Sequence, residues 1–159
     1  MHEGRKRSLD KLDMRILKTL QDDGRISYID LASKVGLSST PCIERVKRLE
    51  KDGYIEGYHA RLNPMLLGYK MLVFVEIALS YQSPDSFQKF SESVQELPYI
   101  LECHLVSGDS DYLLKARISG ISEYRALLGD VLLTLPGVKN AKSYIVMEEL
   151  KESLSLPLG

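Results

Sequence analysis

Apolar residues recur at helical spacing over the first 52 residues and predict three short helices. The first helix ends at the Asp22-Asp23-Gly24 breaker, Ser27 can cap the second, and Gly36 ends the second in a tight turn. A third helix is predicted over 39–52, with Pro41 in its first turn, where backbone N–H groups are unpaired anyway. This order, with the last two helices joined by a tight turn, is typical of a helix-turn-helix. The apolar stripes of the first two helices are Leu9, Leu12, Ile16 and Leu20, and Leu31, Ala32 and Val35.

Residues 54–62 are predicted to form two short strands around Gly57, which would make a wing behind the helices. Asn63-Pro64 then punctuates the chain, and a linker follows. The sequence therefore predicts a winged helix-turn-helix domain over residues 1–64.

The second half of the chain alternates strand patterns with helical ones. Four strands are predicted, over Met71–Leu79, Ile100–Ser107, Tyr112–Ile118 and Val138–Glu149. The helical stripes between them are Phe87, Phe90, Val94 and Leu97, and Tyr124, Leu127, Leu128, Val131 and Leu135. The order βαββαβ predicts an α+β, ferredoxin-like sandwich over residues 65–150, with a tail at 151–159.

That architecture places both helices on one face of the sheet and leaves the other face bare. Both alternating sets of strand residues contain large apolar groups: Leu72 and Phe74 oppose Val73 and Val75. A sheet that is apolar on both faces needs cover on both. We expect the bare face to pack on the same domain of a second subunit.

The distribution of charge separates the two halves. The net charge is only −1, yet residues 1–66 hold 13 Lys and Arg against 10 Asp and Glu, while the remainder hold 8 against 12. A mildly basic front half joined to an acidic rear half indicates that the front half binds DNA and the rear half does something else.

Several classes of protein are made improbable by what the sequence lacks. Its apolar runs fall short of the roughly 20 residues that a membrane span needs, and residues 1–7 have no apolar stretch behind them. We therefore expect a cytoplasmic, nucleoid-associated protein without a membrane partner. Cys42 and Cys103 belong to no zinc or redox motif and are interpreted as small buried residues. No activated nucleophile, metal cluster or phosphate-binding loop is visible, so we expect no enzyme activity, cofactor or metal.

The predicted third helix has a basic face opposite its apolar one. In isolation this face would be solvated surface, laced by pairs such as Glu44 with Arg48. In a helix-turn-helix, its N-terminal half instead meets the major groove, where arginine suits guanine and glutamate suits cytosine. The residues predicted to reach base edges are Ser38, Ser39, Thr40, Pro41, Glu44 and Arg45. Those predicted to contact phosphates are Lys47, Arg48 and Lys51, with weaker candidates in His59, Arg61 and the Arg5-Lys6-Arg7 run.

A second candidate site is the turn from Gly108 to Tyr112. Its carboxylates, Asp109 and Asp111, are two residues apart, as at the start of a calcium loop, but the other ligands of such a loop are missing. By spacing alone, a plain hairpin turn is the simpler interpretation. His104, on the preceding strand, is interpreted as a sheet or interface residue rather than a ligand.

Taken in order, these segments resemble the Lrp/AsnC, or feast/famine, family of regulators from Leu9 to about Lys151. The resemblance is carried by LDMRIL (12–17), DGRIS (23–27), VGLS (35–38), TPC (40–42), RVKRLE (45–50), LVFVEI (72–77) and ECHLVSGD (102–109). It implies homodimers built through the α/β domains, often assembled into octamers, with an amino-acid effector held near the interface between dimers.

The resemblance also implies which residues hold the effector. They are Leu105, the turn Gly108, Asp109, Ser110, Asp111 and Tyr112, then Ile121, and Tyr144, Ile145 and Val146. Ser110 stands where relatives usually carry an aromatic residue. A free amino acid needs N–H groups for its carboxylate, a carboxylate for its ammonium and an apolar slot for its side chain. Asp111 is expected to meet the ammonium without supporting the core, and Leu105, Ile121 and Val146 are expected to form the slot.

The function implied is that of a sequence-specific transcription regulator whose assembly and DNA occupancy respond to leucine, methionine or a similar amino acid. Two alternatives stay open. The chain could be a metabolite-processing enzyme with a DNA-binding head, which turnover assays would reveal. It could also be an architectural DNA-binding protein without an effector, which calorimetry with the twenty amino acids would separate.

Overall fold

The computed structural model describes residues 8–158, except 128, 130 and 131, and divides them into two compact units. The helical unit contains the chain up to Arg61 together with the tail from Glu152, and the sheet unit contains Leu62–Lys151. The tail, to which the sequence pattern assigned no partner, therefore belongs to the helical unit.

The helical unit consists of α1 (Lys11–Asp22), α2 (Tyr28–Val35) and α3 (Ser39–Lys51), which confirms the three predicted helices. Ser27 caps α2 by accepting a hydrogen bond from the Asp30 N–H, as predicted. Gly36 ends α2 with φ of 77°, a left-handed conformation that glycine adopts without a steric penalty. The buried core is shared by the three helices and contains Ile16, Leu31, Ala32, Val35, Cys42, Val46 and Leu49.

The prediction of two wing strands is wrong, because residues 54–62 contain no strand. A tight hairpin at Gly57 would need positive φ, and Gly57 does not have it. Instead, the Tyr58 hydroxyl donates a hydrogen bond to Glu50 Oε1 at 3.0 Å, which holds the segment against the helices. Burial and the Glu50 carboxylate together raise the pKa of Tyr58 to about 12. We call residues 54–61 the wing segment.

The tail lies across a cleft between α1 and the wing segment. The Gln21 amide binds the Leu156 backbone twice, donating from Nε2 to the carbonyl at 2.9 Å and accepting the N–H at 2.8 Å. Arg61 also pairs with Glu152, with 3.0 Å between Nη2 and Oε2. The apolar side chains that line the cleft include Leu9, Met14, Leu17, Leu20, Tyr54, Ile55, Leu154, Leu156 and Leu158.

The sheet unit has four antiparallel strands in the order β2-β3-β1-β4, and its element order βαββαβ confirms the predicted ferredoxin-like sandwich. The elements are β1 (Met71–Leu79), α4 (Pro84–Gln95), β2 (Ile100–Leu105), β3 (Tyr112–Ile118), α5 (Ile121–Ala126), a 3-10 turn (Leu132–Thr134) and β4 (Val138–Ile145).

Three elements are shorter than predicted. β4 ends at Ile145 rather than Glu149, because β1 begins only at Met71 and offers almost no partner beyond the bond from the Val146 N–H to the Leu72 carbonyl. β2 ends at Leu105 rather than Ser107, where a bond from the Val106 N–H to the Asp111 carbonyl closes the hairpin. The α-helical part of α5 ends at Ala126, whereas Leu127 and Gly129 are π-helical. Two members of the predicted stripe, Leu128 and Val131, lie outside the described residues.

The helices cover one face of the sheet. The buried core beneath them includes Val73, Val75, Ile77, Leu79, Phe90, Tyr112, Leu114 and Ile118. The opposite face carries Leu72 and Phe74, as one of the two alternating sets, together with Leu113 and charged residues. Lys115 Nζ bonds to Glu102 Oε1 at 2.9 Å, and the Tyr144 hydroxyl donates to Glu76 Oε1 at 3.1 Å. This face therefore mixes apolar and charged groups instead of being apolar throughout.

Candidate nucleic-acid interface and effector site

The outer face of α3 presents a set of polar side chains to solvent. Thr40, Glu44, Lys47 and Lys51 are exposed, and within the described residues none of these four side chains makes a hydrogen bond or an ion pair. The pair of Glu44 with Arg48, which a merely solvated face would contain, is absent from the described residues, and Arg48 binds Asp13 instead. Ser38 is the exposed N-cap residue, and its hydroxyl is not used in capping. Ser39 and Pro41 are half-buried in the first turn.

Arg45 and Arg48 are placed differently, because both guanidinium groups bind carboxylates at the start of α1. Arg45 Nη1 lies 2.6 Å from Asp10 Oδ2 and 2.7 Å from Asp13 Oδ1. Arg48 Nη2 lies 2.5 Å from the same Asp13 oxygen. The arginine side chains are 25% and 27% exposed, whereas that of Asp13 is 1% exposed. The two arginines therefore join α3 to α1 in the unbound protein.

The two aspartates also cap α1 reciprocally. Asp10 Oδ1 accepts hydrogen bonds from the N–H groups of Leu12 and Asp13, and Asp13 Oδ2 accepts one from the Asp10 N–H. The Asp13 N–H, followed by Arg45, lowers the pKa of Asp10 to about 2. The hydrogen bond to Asp10, followed by that to Asp13, raises the pKa of Arg45. We call these four residues the Asp-Arg cluster.

The sequence analysis did not identify Asp10 and Asp13 as functional residues, although their spacing indicates a helix cap. An acidic residue three positions after an N-cap candidate, ahead of an apolar stripe, is the spacing of a capping box. That spacing predicts the reciprocal cap. The contact with α3 depends on how the helices pack, which the spacing does not determine.

The remaining candidates for phosphate contact are scattered. His59 and Arg61 are exposed in the wing segment, and Arg61 is paired with Glu152 of the tail. Arg5, Lys6 and Arg7 lie outside the described residues.

The second candidate site is the turn that joins β2 to β3. Gly108 has φ of 141°, which side chains other than glycine's rarely tolerate. Asp109 is exposed and Ser110 half-buried. Among the described residues, the N–H groups of Gly108, Asp109 and Ser110 donate to no other group. The turn thus offers unpaired backbone donors and one exposed carboxylate.

Asp111 does not have the free carboxylate expected of it. Its side chain is buried, Oδ2 accepts the Leu79 N–H at 2.7 Å, and Oδ1 accepts from Gln82 Nε2 at 2.8 Å. The backbone N–H of Asp111 also donates to the Ile77 carbonyl at 2.8 Å. Asp111 therefore fixes the turn to the end of β1. The expectation that its side chain does not support the core is wrong.

Tyr112 is also part of the core rather than of an open site. Its ring stacks on Phe90 with 4.3 Å between centroids and meets Phe87 edge-on at 6.0 Å. Only 6% of the residue is exposed. The alternation of β3 explains this position, because Tyr112 faces the same side of the sheet as Leu114 and Ala116.

The predicted apolar slot is not assembled within one chain. Leu105 lies beside the turn and is 65% exposed, but Ile121 begins α5 beyond the far end of β3. Seven strand residues separate the two ends, roughly 20 Å at the usual rise per residue. Tyr144, Ile145 and Val146 also lie at that far end, opposite the start of β1. Leu105 is thus the only one of the three proposed slot residues that lies at the turn.

Comparison with known proteins gives a consistent result for both units. The model of the Lrp/AsnC ligand binding domain matches residues 72–156, and a winged helix-turn-helix DNA-binding model matches residues 9–56. The leucine-responsive regulatory protein of Serratia marcescens is 56% identical over 156 residues, which cover 96% of this chain and 95% of that protein. The chain belongs to the Lrp/AsnC family.

Solved structures of two transcriptional regulators have the same fold over most of this chain. A transcriptional regulator of Neisseria meningitidis in complex with L-Met has a TM-score of 0.90 at 35% identity, covering 95% of this chain and 97% of that one. An AsnC family regulator of Agrobacterium tumefaciens has a TM-score of 0.89 at 38% identity, covering 94% and 97%.

Membership in the Lrp/AsnC family establishes the general function. The chain is an effector-responsive transcription regulator that binds DNA through its winged helix-turn-helix, and its relatives are regulators rather than enzymes. Among the described residues, no group of three or more His, Cys, Asp or Glu is arranged to hold a metal. No described helix is both long and apolar enough to cross a membrane.

Proposed function

We propose that this regulator reads DNA with the outer face of α3 and responds to an apolar amino acid such as leucine or methionine. The observation that carries the first part is the exposed, unpartnered face of α3. Lys47 and Lys51 lie on that face and contact phosphates. The residues proposed to approach base edges are Ser38, Ser39, Thr40, Pro41 and Glu44, on the first turns of the same helix.

The turn supplies the polar part of the effector site. We assign the effector carboxylate to the N–H groups of Gly108, Asp109 and Ser110, and its ammonium to the exposed Asp109 carboxylate. Leu105, which is largely exposed beside the turn, lies against the apolar side chain. Asp111 and Tyr112 support this site from behind, through β1 and α4.

Because Ile121, Ile145 and Val146 lie at the far end of the strands, a second copy of the chain completes the apolar slot with them. The regulator therefore acts as a homo-oligomer, a dimer or an assembly of dimers such as an octamer. An effector held between copies shifts the balance between assemblies by its difference in affinity for them. Relatives named leucine-responsive, and the neighbour bound to L-Met, support this class of effector. The protein acts on nucleoid DNA in the cytoplasm.

Alanine substitutions of Lys47 and Lys51 test the DNA face. Each should weaken binding to all duplexes about equally and lower the slope of log K against log salt by roughly 1. Fluorescence anisotropy over a salt series measures both quantities. A salt slope unchanged in both variants would contradict the assigned face.

Calorimetric titration of the twenty amino acids, with leucine and methionine first, tests the effector site. Asp109→Ala should weaken binding by about tenfold or more, since an ammonium loses its charged partner. Asp22→Ala removes an exposed carboxylate from the other unit and is the matched control. Light scattering in the same titration follows the assembly. If none of the twenty amino acids binds wild type, the architectural alternative is correct.

A further inference from the structure

The Asp-Arg cluster leaves no carboxylate oxygen of Asp10 or Asp13 unused. One Asp10 oxygen caps α1 and the other binds Arg45. One Asp13 oxygen accepts the Asp10 N–H, and the other binds both arginines. Two carboxylates therefore neutralise two guanidinium groups, and the cap of α1 holds the carboxylates in position.

The arginines lie along one edge of the α3 face that carries Lys47 and Lys51. At 100° per residue, Arg48 is next to Glu44 and Lys51 around the helix, and Arg45 lies one step further toward the core. α3 carries four cations; two are engaged with α1, and Lys47 and Lys51 have no partner within the part of the chain that the structure describes. A guanidinium paired with a carboxylate releases no counterion on meeting a phosphate unless the pair first breaks.

We propose that Asp10 and Asp13 are positioning residues that set DNA selectivity by holding Arg45 and Arg48 away from phosphates. Sequence-independent affinity then comes mainly from the free lysines, and base contacts make up a larger share of the total. This inference rests on the proposed DNA face of α3. It differs from the sequence-based predictions, in which Arg45 reaches a base edge and Arg48 contacts a phosphate.

The same contacts could instead orient the arginines toward bases, and breaking the cluster would then lower DNA selectivity by a different route. A carboxylate can orient an arginine toward a base, in which case breaking the cluster weakens binding to preferred sequences and leaves random DNA unaffected. The two possibilities therefore predict opposite changes.

Two substitutions at Asp10 separate charge from capping. Asp10→Asn keeps a good N-cap and removes the charge that binds Arg45, whereas Asp10→Glu keeps the charge with a poorer N-cap. The probes are a random-sequence duplex pool and a duplex recovered from that pool by repeated selection on wild type. Anisotropy over a salt series, with the full-length protein, gives affinity and salt slope for each probe.

Asp10→Asn should bind the random pool about threefold to fivefold more tightly and with a steeper salt slope, by up to roughly 1, while binding to the selected duplex rises less. Asp10→Glu should behave like wild type. Asp22→Asn, which makes the same change in net charge on an exposed part of α1, should affect neither probe selectively.

Random-pool binding and salt slope that are unchanged in Asp10→Asn would overturn the proposal, as would a loss confined to the selected duplex. Asp13→Asn should enlarge the gain if it folds, and if it does not fold, Asp10→Asn decides alone. A salt slope unchanged in both Lys47→Ala and Lys51→Ala would instead identify the DNA face as the error.

Discussion

Asp13 in the helical unit and Asp111 in the sheet unit are both buried aspartates that join two elements, but their partners differ in kind. Asp13 is held by two guanidinium groups, whereas Asp111 accepts hydrogen bonds from a backbone N–H and an amide. Charge is essential to the first arrangement, because the arginines need a counter-charge. The arrangement at Asp111 needs only hydrogen-bond acceptors in the right place, and a neutral side chain can supply them.

Removing the cation-bound aspartate should have the largest effect. Asp13→Ala leaves the two arginines without their shared counter-charge and deletes half of the reciprocal cap, so the free energy of unfolding should fall by about 3 kcal/mol. Urea denaturation followed by circular dichroism measures the loss. Asp13→Asn should recover little of it. A variant as stable as wild type would show that the cluster does not hold α1 to α3.

Removing the amide-bound aspartate should have a smaller effect. Asp111→Ala leaves the buried Leu79 N–H without an acceptor and should cost about 2 kcal/mol in the same assay. Asp111→Asn should recover most of this loss, because its oxygen can accept the N–H and the exposed Gln82 amide can rotate. Asp109→Ala, on the same turn, should stay within about 0.5 kcal/mol of wild type. Equal losses at positions 109 and 111 would contradict the structural role of Asp111.

The smallest of the three effects on stability should be the loss in acid that comes from protonation of Asp10. Its pKa is lowered in the folded protein to about 2, so its contribution to stability is complete above about pH 4 and is lost as pH falls toward 2. Asp10→Asn has no such group, and its stability should fall less steeply across that window. Unfolding midpoints at a series of pH values compare the two slopes, and parallel slopes would remove Asp10 from the acid response.

The sequence predicted most of the fold because its signals were local. Alternation from Met71 to Leu79 and from Tyr112 to Ile118 marked β1 and β3 with their observed bounds. The wing strands failed because Gly57 can begin a hairpin only with a φ that it does not adopt, while Tyr58 contacts Glu50 instead. The predicted ends of β2 and β4 were wrong because a strand ends where its neighbour no longer offers residues to pair with. The alternation of apolar and polar residues does not show where that neighbour stops.

The sequence indicated where the two candidate sites lie along the chain, but not which groups their side chains contact. α3 and the turn at Gly108 were located correctly as an exposed helix face and a glycine-dependent turn. Residue type alone could not distinguish Asp109, which is exposed, from Asp111, which is buried two residues later. The same limit applies to Arg45, whose partners are 32 and 35 residues away.

The route of the chain has a consequence for synthesis. The helical unit contains residues from both sides of the sheet unit, so the 90 residues from Leu62 to Lys151 separate its helices from its tail. At about 5–20 residues per second, these residues take roughly 5–20 s to translate. Throughout that interval the three helices can already have formed on the ribosome, yet the cleft beside Gln21 has no tail to receive. The tail, which is translated after the sheet unit, therefore completes a unit whose helices are translated before it.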